Sequence, residues 1–292
     1  MGFRRRSLLS LAAAPLAGCS GAQLLNGLAR GGAARIDEGL PYGPDPRHRA
    51  DMYTPAGTAP PDGWPMVLFF YGGSWNTGER GDYRFVGEAL AERGLLTTVA
   101  DYRLYPQVRY PEFLHDAARA FAWWRASAAA HGGDARRLHL LGHSAGAYNA
   151  AMLALDARWL AAVGETPGSL AGWGGLAGPY DFLPIRNPDA RPVFFHPDYP
   201  ARSQPLGEAT AAAPRTFLGA PKDDVLVDPQ RNTVGLATRL RKAGVPVEMH
   251  LYGRVNHALV LGAMGRPLRW LAPVLDDLGA FLLRTPAGPA RA

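Results

Sequence analysis

The chain has 292 residues, of which 47% are hydrophobic and 19% charged; that is enough apolar material for one large globular domain and excludes a chain disordered throughout. The formal charge of +6 is modest and the basic residues are scattered, so nothing indicates a nucleic-acid-binding surface. A single cysteine excludes an intrachain disulfide.

Residues 1–18 read as an export signal and not as part of the fold. Arg4, Arg5 and Arg6 precede an apolar run over residues 8–16, too short for an ordinary membrane-spanning helix. Arg5-Arg6-Ser7-Leu8-Leu9 resembles a twin-arginine signal, and the same arginines equally suit general secretory export. Leu16-Ala17-Gly18-Cys19 looks like a bacterial lipoprotein signal, whose cysteine is lipid-modified and becomes the first mature residue. The expectation is an exported, membrane-anchored lipoprotein of the bacterial cell envelope, on its periplasmic or cell-surface side, held through lipid on Cys19 without a spanning helix. Losing Arg4, Arg5 and Arg6 with the signal would halve the surplus of +6.

Residues 19–35 are small and polar and are expected to form a flexible tether to a domain over 36–285, with 286–292 as a flexible tail. Within the domain, residues 49–53 suggest a short early strand, and Met66-Val67-Leu68-Phe69-Phe70-Tyr71 a strand buried on both faces. Phe85, Val86, Ala89 and Leu90 make one helical stripe, residues 95–100 a strand, and Phe113, Leu114, Ala117, Ala120, Phe121 and Trp124 the stripe of a longer helix. Further strands are expected over 170–177, around Phe217 and Leu218, and over 247–251. Asp228 reads as the N-cap of a helix that Gly244 closes, and Val274, Leu275, Leu278, Phe281 and Leu282 as the buried face of a last helix. Alternating strands and helices predict an α/β fold with a mostly parallel central sheet flanked by helices. Residues 182–214 break that rhythm with many prolines and no period. A lid-like insertion or substrate wall and a purely structural excursion are both open for them.

The chemistry centres on residues 138–149, an apolar run into Gly142-His143-Ser144-Ala145-Gly146 and then an alanine-rich segment. Gly-x-Ser-x-Gly between a strand and a helix places a serine on a strained, exposed turn, which makes Ser144 a candidate nucleophile. A serine hydroxyl needs a base in hydrogen-bond reach and an acid that orients the base. His257 follows the strand ending near Leu251 and precedes the final helix, where a base belongs in the order serine, acid, histidine. The other seven histidines are worse placed, and His143 is expected to serve packing or the surface. For the acid, Asp224 is favoured over Asp223, because Val225 and Val227 could bury beneath it while Asp223 beside Lys222 reads as solvated. Gly72 and Gly73 follow the buried strand directly, and with the N–H of Ala145 they could bind a developing oxyanion. No histidine and carboxylate cluster has metal-ligand spacing.

With these residues in place, the sequence resembles the α/β-hydrolase superfamily. Within it the likeness is to the esterase branch related to hormone-sensitive lipases, feruloyl and acetyl esterases and arylformamidases, whose oxyanion loop reads His-Gly-Gly-x-Trp or similar. Tyr71-Gly72-Gly73-Ser74-Trp75, Asp101-Tyr102-Arg103-Leu104-Tyr105-Pro106 with Pro111 and Asp116, and Gly178-Pro179-Tyr180-Asp181 carry it, over residues 49–283. The resemblance implies an α/β-hydrolase fold and a metal-independent, cofactor-free serine hydrolase, with Ser144, Asp224 and His257 as triad and Gly72, Gly73 and Ala145 around the oxyanion. Two residues depart from the pattern: Tyr71 replaces the histidine before the glycines, and His143 stands where many relatives carry glutamate. The expected function is hydrolysis of small or short-chain carboxylic esters through an acyl-enzyme. An amide hydrolase of the arylformamidase kind and a catalytically silent surface binding protein are the alternatives. Trp75, Phe194, Phe195 and Tyr199 could each line an aromatic pocket or belong to the core.

Overall fold

In the computed structural model, which describes residues 21–28 and 31–284, eight strands form one sheet. They are β1 (Ala33–Pro41), β2 (Arg49–Pro55), β3 (Trp64–Phe70), β4 (Leu96–Ala100), β5 (Gly133–His143), β6 (Gly172–Leu176), β7 (Thr216–Pro221) and β8 (Val247–Tyr252). Their order is β1-β2-β4-β3-β5-β6-β7-β8; β2 runs antiparallel to β1 and β4, and the remaining neighbours are parallel. The apolar run over 66–70 is fully buried in the centre, paired with β4 on one side and β5 on the other. Parallel strands covered on both faces have no solvent side, which is why this run shows no polar alternation.

Nine α-helices precede, connect or follow the strands among the described residues: α1 (Gly21–Leu28), α2 (Arg84–Ala91), α3 (Glu112–Ser127), α4 (Ala145–Leu155), α5 (Ala157–Ala161), α6 (Pro205–Glu208), α7 (Gly235–Lys242), α8 (Leu259–Gly262) and α9 (Val274–Leu283). From β3 the chain steps outward to β4, whereas from β5 it steps the opposite way to β6, β7 and β8. Right-handed crossovers then place α2 on one face and α3, α4 and α7 on the other. Accordingly, α2 packs with α9, and α3 with α4. The reversal leaves a crevice at the carboxyl ends of β3 and β5, where open α/β sheets bind ligands.

The stretch expected as a tether is structured within the described residues. Helix α1 lies against α2, with Leu25 buried, Asn26 Nδ2 donating to the Gly81 carbonyl (2.7 Å) and Asn26 Oδ1 accepting from the Phe85 amide (3.0 Å). Strand β1 then begins at Ala33, with Glu88 accepting the amides of Gly32 and Ala33. Composition concealed this, because one leucine and one asparagine do most of the docking. Cys19 and the proposed export signal, like residues 285–292, lie outside the described residues.

The insertion over 182–214 contains irregular backbone, a 3-10 turn (Pro192–Phe194) and α6. Val193 and Phe194 are fully buried, and the Phe194 ring meets Trp75, Tyr148 and Phe182 edge-on. Asn187 Nδ2 donates to Ser74 Oγ (3.0 Å), tying the insertion to the turn after β3. These contacts fix its middle as a wall of the cleft. Of the four aromatic candidates, Phe194 is a core residue, and Trp75, though 2% exposed, also borders the cleft. Phe195 is 41% exposed beneath the Arg109 guanidinium, and the Tyr199 hydroxyl accepts the Ile185 amide.

Candidate active site

Ser144 sits at the join of β5 and α4 with φ 53° and ψ −121°. A non-glycine residue in that region costs about 1–3 kcal/mol, which the surroundings must offset. The Ser144 amide donates to the Leu176 carbonyl (2.9 Å), and its own carbonyl accepts from Tyr148 (3.1 Å), so both neighbouring elements hold the turn. The flanking glycines are needed for space: a Cβ on Gly142 would collide with the Gly146 backbone, and one on Gly146 with the Phe70 carbonyl. Gly142 thus permits the close approach of α4 to β5, and Gly146 that of α4 to β3.

The loop after β8 brings His257 to this serine. His257 Nε2 lies 2.8 Å from Ser144 Oγ, and its Nδ1 lies 2.7 Å from Asp224 Oδ2 on the loop after β7. Asp224 is 7% exposed, and its Oδ1 accepts the amides of Leu226 (2.9 Å) and Val227 (3.2 Å). Burial alone would raise its pKa, but the hydrogen bond and charge of His257 and the two amides outweigh it and hold the carboxyl below its ordinary range. Asp223 is exposed, and Asp228 caps the turn leading into α7 through the amides of Gln230 and Arg231.

Asp224 is not held by the burial expected of its neighbours. Val225 is 95% exposed and Val227 only partly buried, so the two valines do not bury beneath Asp224 as a pair. The carboxylate itself folds the loop over, and the apolar side chains face the mouth of the cleft. That cleft, about 290 Å³, is lined by Ser74, Trp75, Ser144, Ala145, Phe182 and His257 among others, with Val225 and Leu226 on its rim.

Gly72 and Gly73 follow β3 and abut the nucleophile: a Cβ on Gly72 would lie 2.9 Å from Ser144 Cβ. Gly73 has φ +122°, which suits glycine, and its carbonyl accepts from Asn76 and Thr77 to close the turn. Ala145 opens α4, where first-turn amides have no partner within the helix. Ser74 (φ 51°), beside Ala145 on the cleft wall, was not singled out by the sequence. Its signal is position alone, as the residue after the glycine pair.

Tyr71 supplies its own brace for this loop. Its hydroxyl donates to Asp101 Oδ1 (2.7 Å) and accepts from Arg47 Nη2 (2.7 Å), and Arg47 also reaches the carbonyls of Gly78 (2.8 Å) and Tyr102 (2.9 Å). The Tyr102 hydroxyl returns to the Tyr71 carbonyl (2.8 Å). Asp101 further accepts the amide and guanidinium of Arg80. The Arg103 side chain holds Asp116, which also meets His48 (2.9 Å). The motif residues Asp101, Arg103 and Asp116 therefore serve the scaffold behind the site.

His143 departs from its expected place. It is 7% exposed, and its Nε2 lies 2.8 Å from the carbonyl oxygen of His257, the residue that faces the serine. Burial, and then the neighbouring His257, push its pKa down to about 3. No described group of three or more His, Cys, Asp or Glu could hold a metal ion, and no described helix is long and apolar enough to cross a membrane.

This fold and strand-turn-helix geometry recur in solved structures. A thermostable carboxylesterase, EstE1, cloned from a metagenomic library matches with a TM-score of 0.73 at 19% identity, over 89% of this chain and 92% of that one. The chain has the α/β-hydrolase fold. Residues 50–163 match the BD-FAE family. A probable isoprenylcysteine alpha-carbonyl methylesterase of Oryza sativa subsp. japonica is 28% identical over 77% of this chain and 57% of its own length. Carboxylesterase NlhH of Mycobacterium tuberculosis is 29% identical over 69% of this chain and 70% of its own. The chain spans little more than half the length of the methylesterase relatives it matches.

Proposed function

We propose that this chain of α/β-hydrolase fold is a serine carboxylic ester hydrolase that works through an acyl-enzyme on small or short-chain esters. One observation carries the reading: Ser144, His257 and Asp224 form an unbroken relay of 2.8 and 2.7 Å at the foot of an open cleft. The esterase names of its relatives support it. With the proton of His257 on Nδ1, facing Asp224, Nε2 is free to accept the hydroxyl proton of Ser144. Ser144 Oγ then bonds to the ester carbonyl carbon, and the carbonyl oxygen takes the negative charge. Donors for that oxygen are the amide of Ala145 and those of the Gly72–Gly73 turn, each worth about 3 kcal/mol at such a site. Imidazolium His257 protonates the leaving alcohol as the C–O bond breaks. Water, deprotonated by the same nitrogen, then cleaves the acyl-serine bond and restores Ser144. The cleft of about 290 Å³ suits a small acyl group, while Val225 and Leu226 offer the alcohol side an apolar rim.

Nitrophenyl acetate and butyrate assayed beside the matching anilides test the substrate class. Ester turnover at least about tenfold above amide turnover is expected, since a difference of about 1.4 kcal/mol in barrier suffices. Faster amide cleavage would assign the formamidase type instead, and the absence of both activities a binding role.

The mature chain is further proposed to be anchored to the bacterial envelope by lipid on Cys19, supported by Arg4–Arg6, the apolar run and the Leu-Ala-Gly-Cys tetrapeptide. Metabolic labelling with an azido fatty acid should mark the wild type and not Cys19→Ala, which should leave the membrane fraction. Equal labelling of both contradicts the anchor.

A further inference from the structure

Three segments meet at the imidazole of His143. Its backbone leads into Ser144, its Nε2 lies 2.8 Å from the His257 carbonyl oxygen, and its ring lies against the turn after β3. A Cβ on Gly72 would fall 3.1 Å from His143 Nδ1 and 3.2 Å from the His143 carbonyl. The His143 and His257 rings lie 5.1 Å apart, tilted by 48°. The far side of the His143 ring faces an apolar cavity of about 370 Å³ bounded by Leu25, Phe85, Leu259 and Leu261. Water therefore has little to offer the ring, and Nδ1 is buried with no hydrogen-bond partner.

We infer that His143 is a positioning residue, which fixes the backbone of the base by donating Nε2–H to the His257 carbonyl. This rests on the serine-hydrolase reading above. A carbonyl can only accept, so the geometry requires the proton on Nε2 and leaves Nδ1 bare. The ring must also be neutral. A second cation 5.1 Å from His257 would oppose the imidazolium that forms there during reaction, and burial next to His257 disfavours it. Among the described residues, the titratable groups that act on His143 are His257 and, beyond it, Asp224. In the loop over 253–258 the Asn256 side chain caps the Leu259 amide, the carbonyls of Asn256 and Ala258 accept from Val260 and Gly262, and the His257 carbonyl is tied through His143. A neutral donor at this place holds the base without competing for its proton.

The comparison is His143→Leu against His143→Gln, with kcat, KM and inactivation by a fluorophosphonate measured for each. Leucine keeps volume and loses the donor; glutamine keeps an N–H at a similar reach. His143→Leu should lose about tenfold in kcat and in inactivation rate with KM within about twofold, and His143→Gln should recover most of it, as expected for one buried hydrogen bond that holds a reacting group. A His143→Leu enzyme with unchanged kcat, or a glutamine variant no better than leucine, overturns the inference. Nitrogen-15 NMR of the wild type needs no variant and no turnover, so it stands even if the ester reading fails. It should show His143 as the neutral Nε2–H tautomer throughout pH 5–8, and a His143 that titrates in that interval or carries its proton on Nδ1 contradicts the role.

Discussion

Ser144→Ala is expected to lower kcat on nitrophenyl butyrate by about three to six orders of magnitude, with a residue of activity from binding and oxyanion donors alone. The hydroxyl removed is the group whose oxygen bonds to the acyl carbon, and the other serine that lines the cleft, Ser74 on the turn after β3, has its hydroxyl bonded to Asn187 (3.0 Å). Alanine can keep the Ser144 backbone bonds to Leu176 and Tyr148, so the fold should survive. The strain at φ 53° is borne as well by alanine as by serine. Stopped assays with wild type and variant at equal, folded concentration check this, and a loss under tenfold would refute a nucleophilic role.

Asp224→Asn should cost about 10⁴-fold in kcat while leaving the melting temperature nearly unchanged. The amide oxygen can still accept from Leu226 and Val227, so the loop keeps its shape. Its NH₂ group then faces His257 Nδ1 as a donor, and the imidazole must carry its proton on Nε2. In that tautomer His257 donates toward Ser144 and cannot take its proton. Asp223→Asn is the control: that residue is exposed and touches nothing in the relay, and its rate should stay within about twofold, as surface changes usually do. Equal losses for the two asparagine variants would contradict the assignment of the acid.

The buried strand over 66–70, the glycine pair after it and the strand-serine-helix join were legible because each rests on a local pattern: a continuous apolar run, or small residues where backbones meet. The relative order of Ser144, Asp224 and His257 was legible for the same reason, as each sits on a loop after a recognisable strand. What escaped depends on contacts between distant segments. The docking of α1 turns on Asn26 and its partners Gly81 and Phe85, which no periodicity announces. The expected burial of Val225 and Val227 beneath Asp224 is not what holds the loop, since Val225 is exposed and Val227 only partly buried; the carboxylate organises the loop instead. His143 looked like a packing residue because its partner is a backbone carbonyl 114 positions away, and backbone carbonyls leave no mark in a sequence. The replacement of a histidine by Tyr71 was visible, but the brace it forms with Arg47 and Asp101 required the fold.

The relay is tested most directly by mass spectrometry after reaction with a fluorophosphonate, which bonds only to an activated serine. The account predicts one equivalent of label on the peptide that carries Ser144, no label on Ser144→Ala, and much slower labelling of Asp224→Asn. Wild-type protein that stays unlabelled, or that carries the label on another residue, would contradict it.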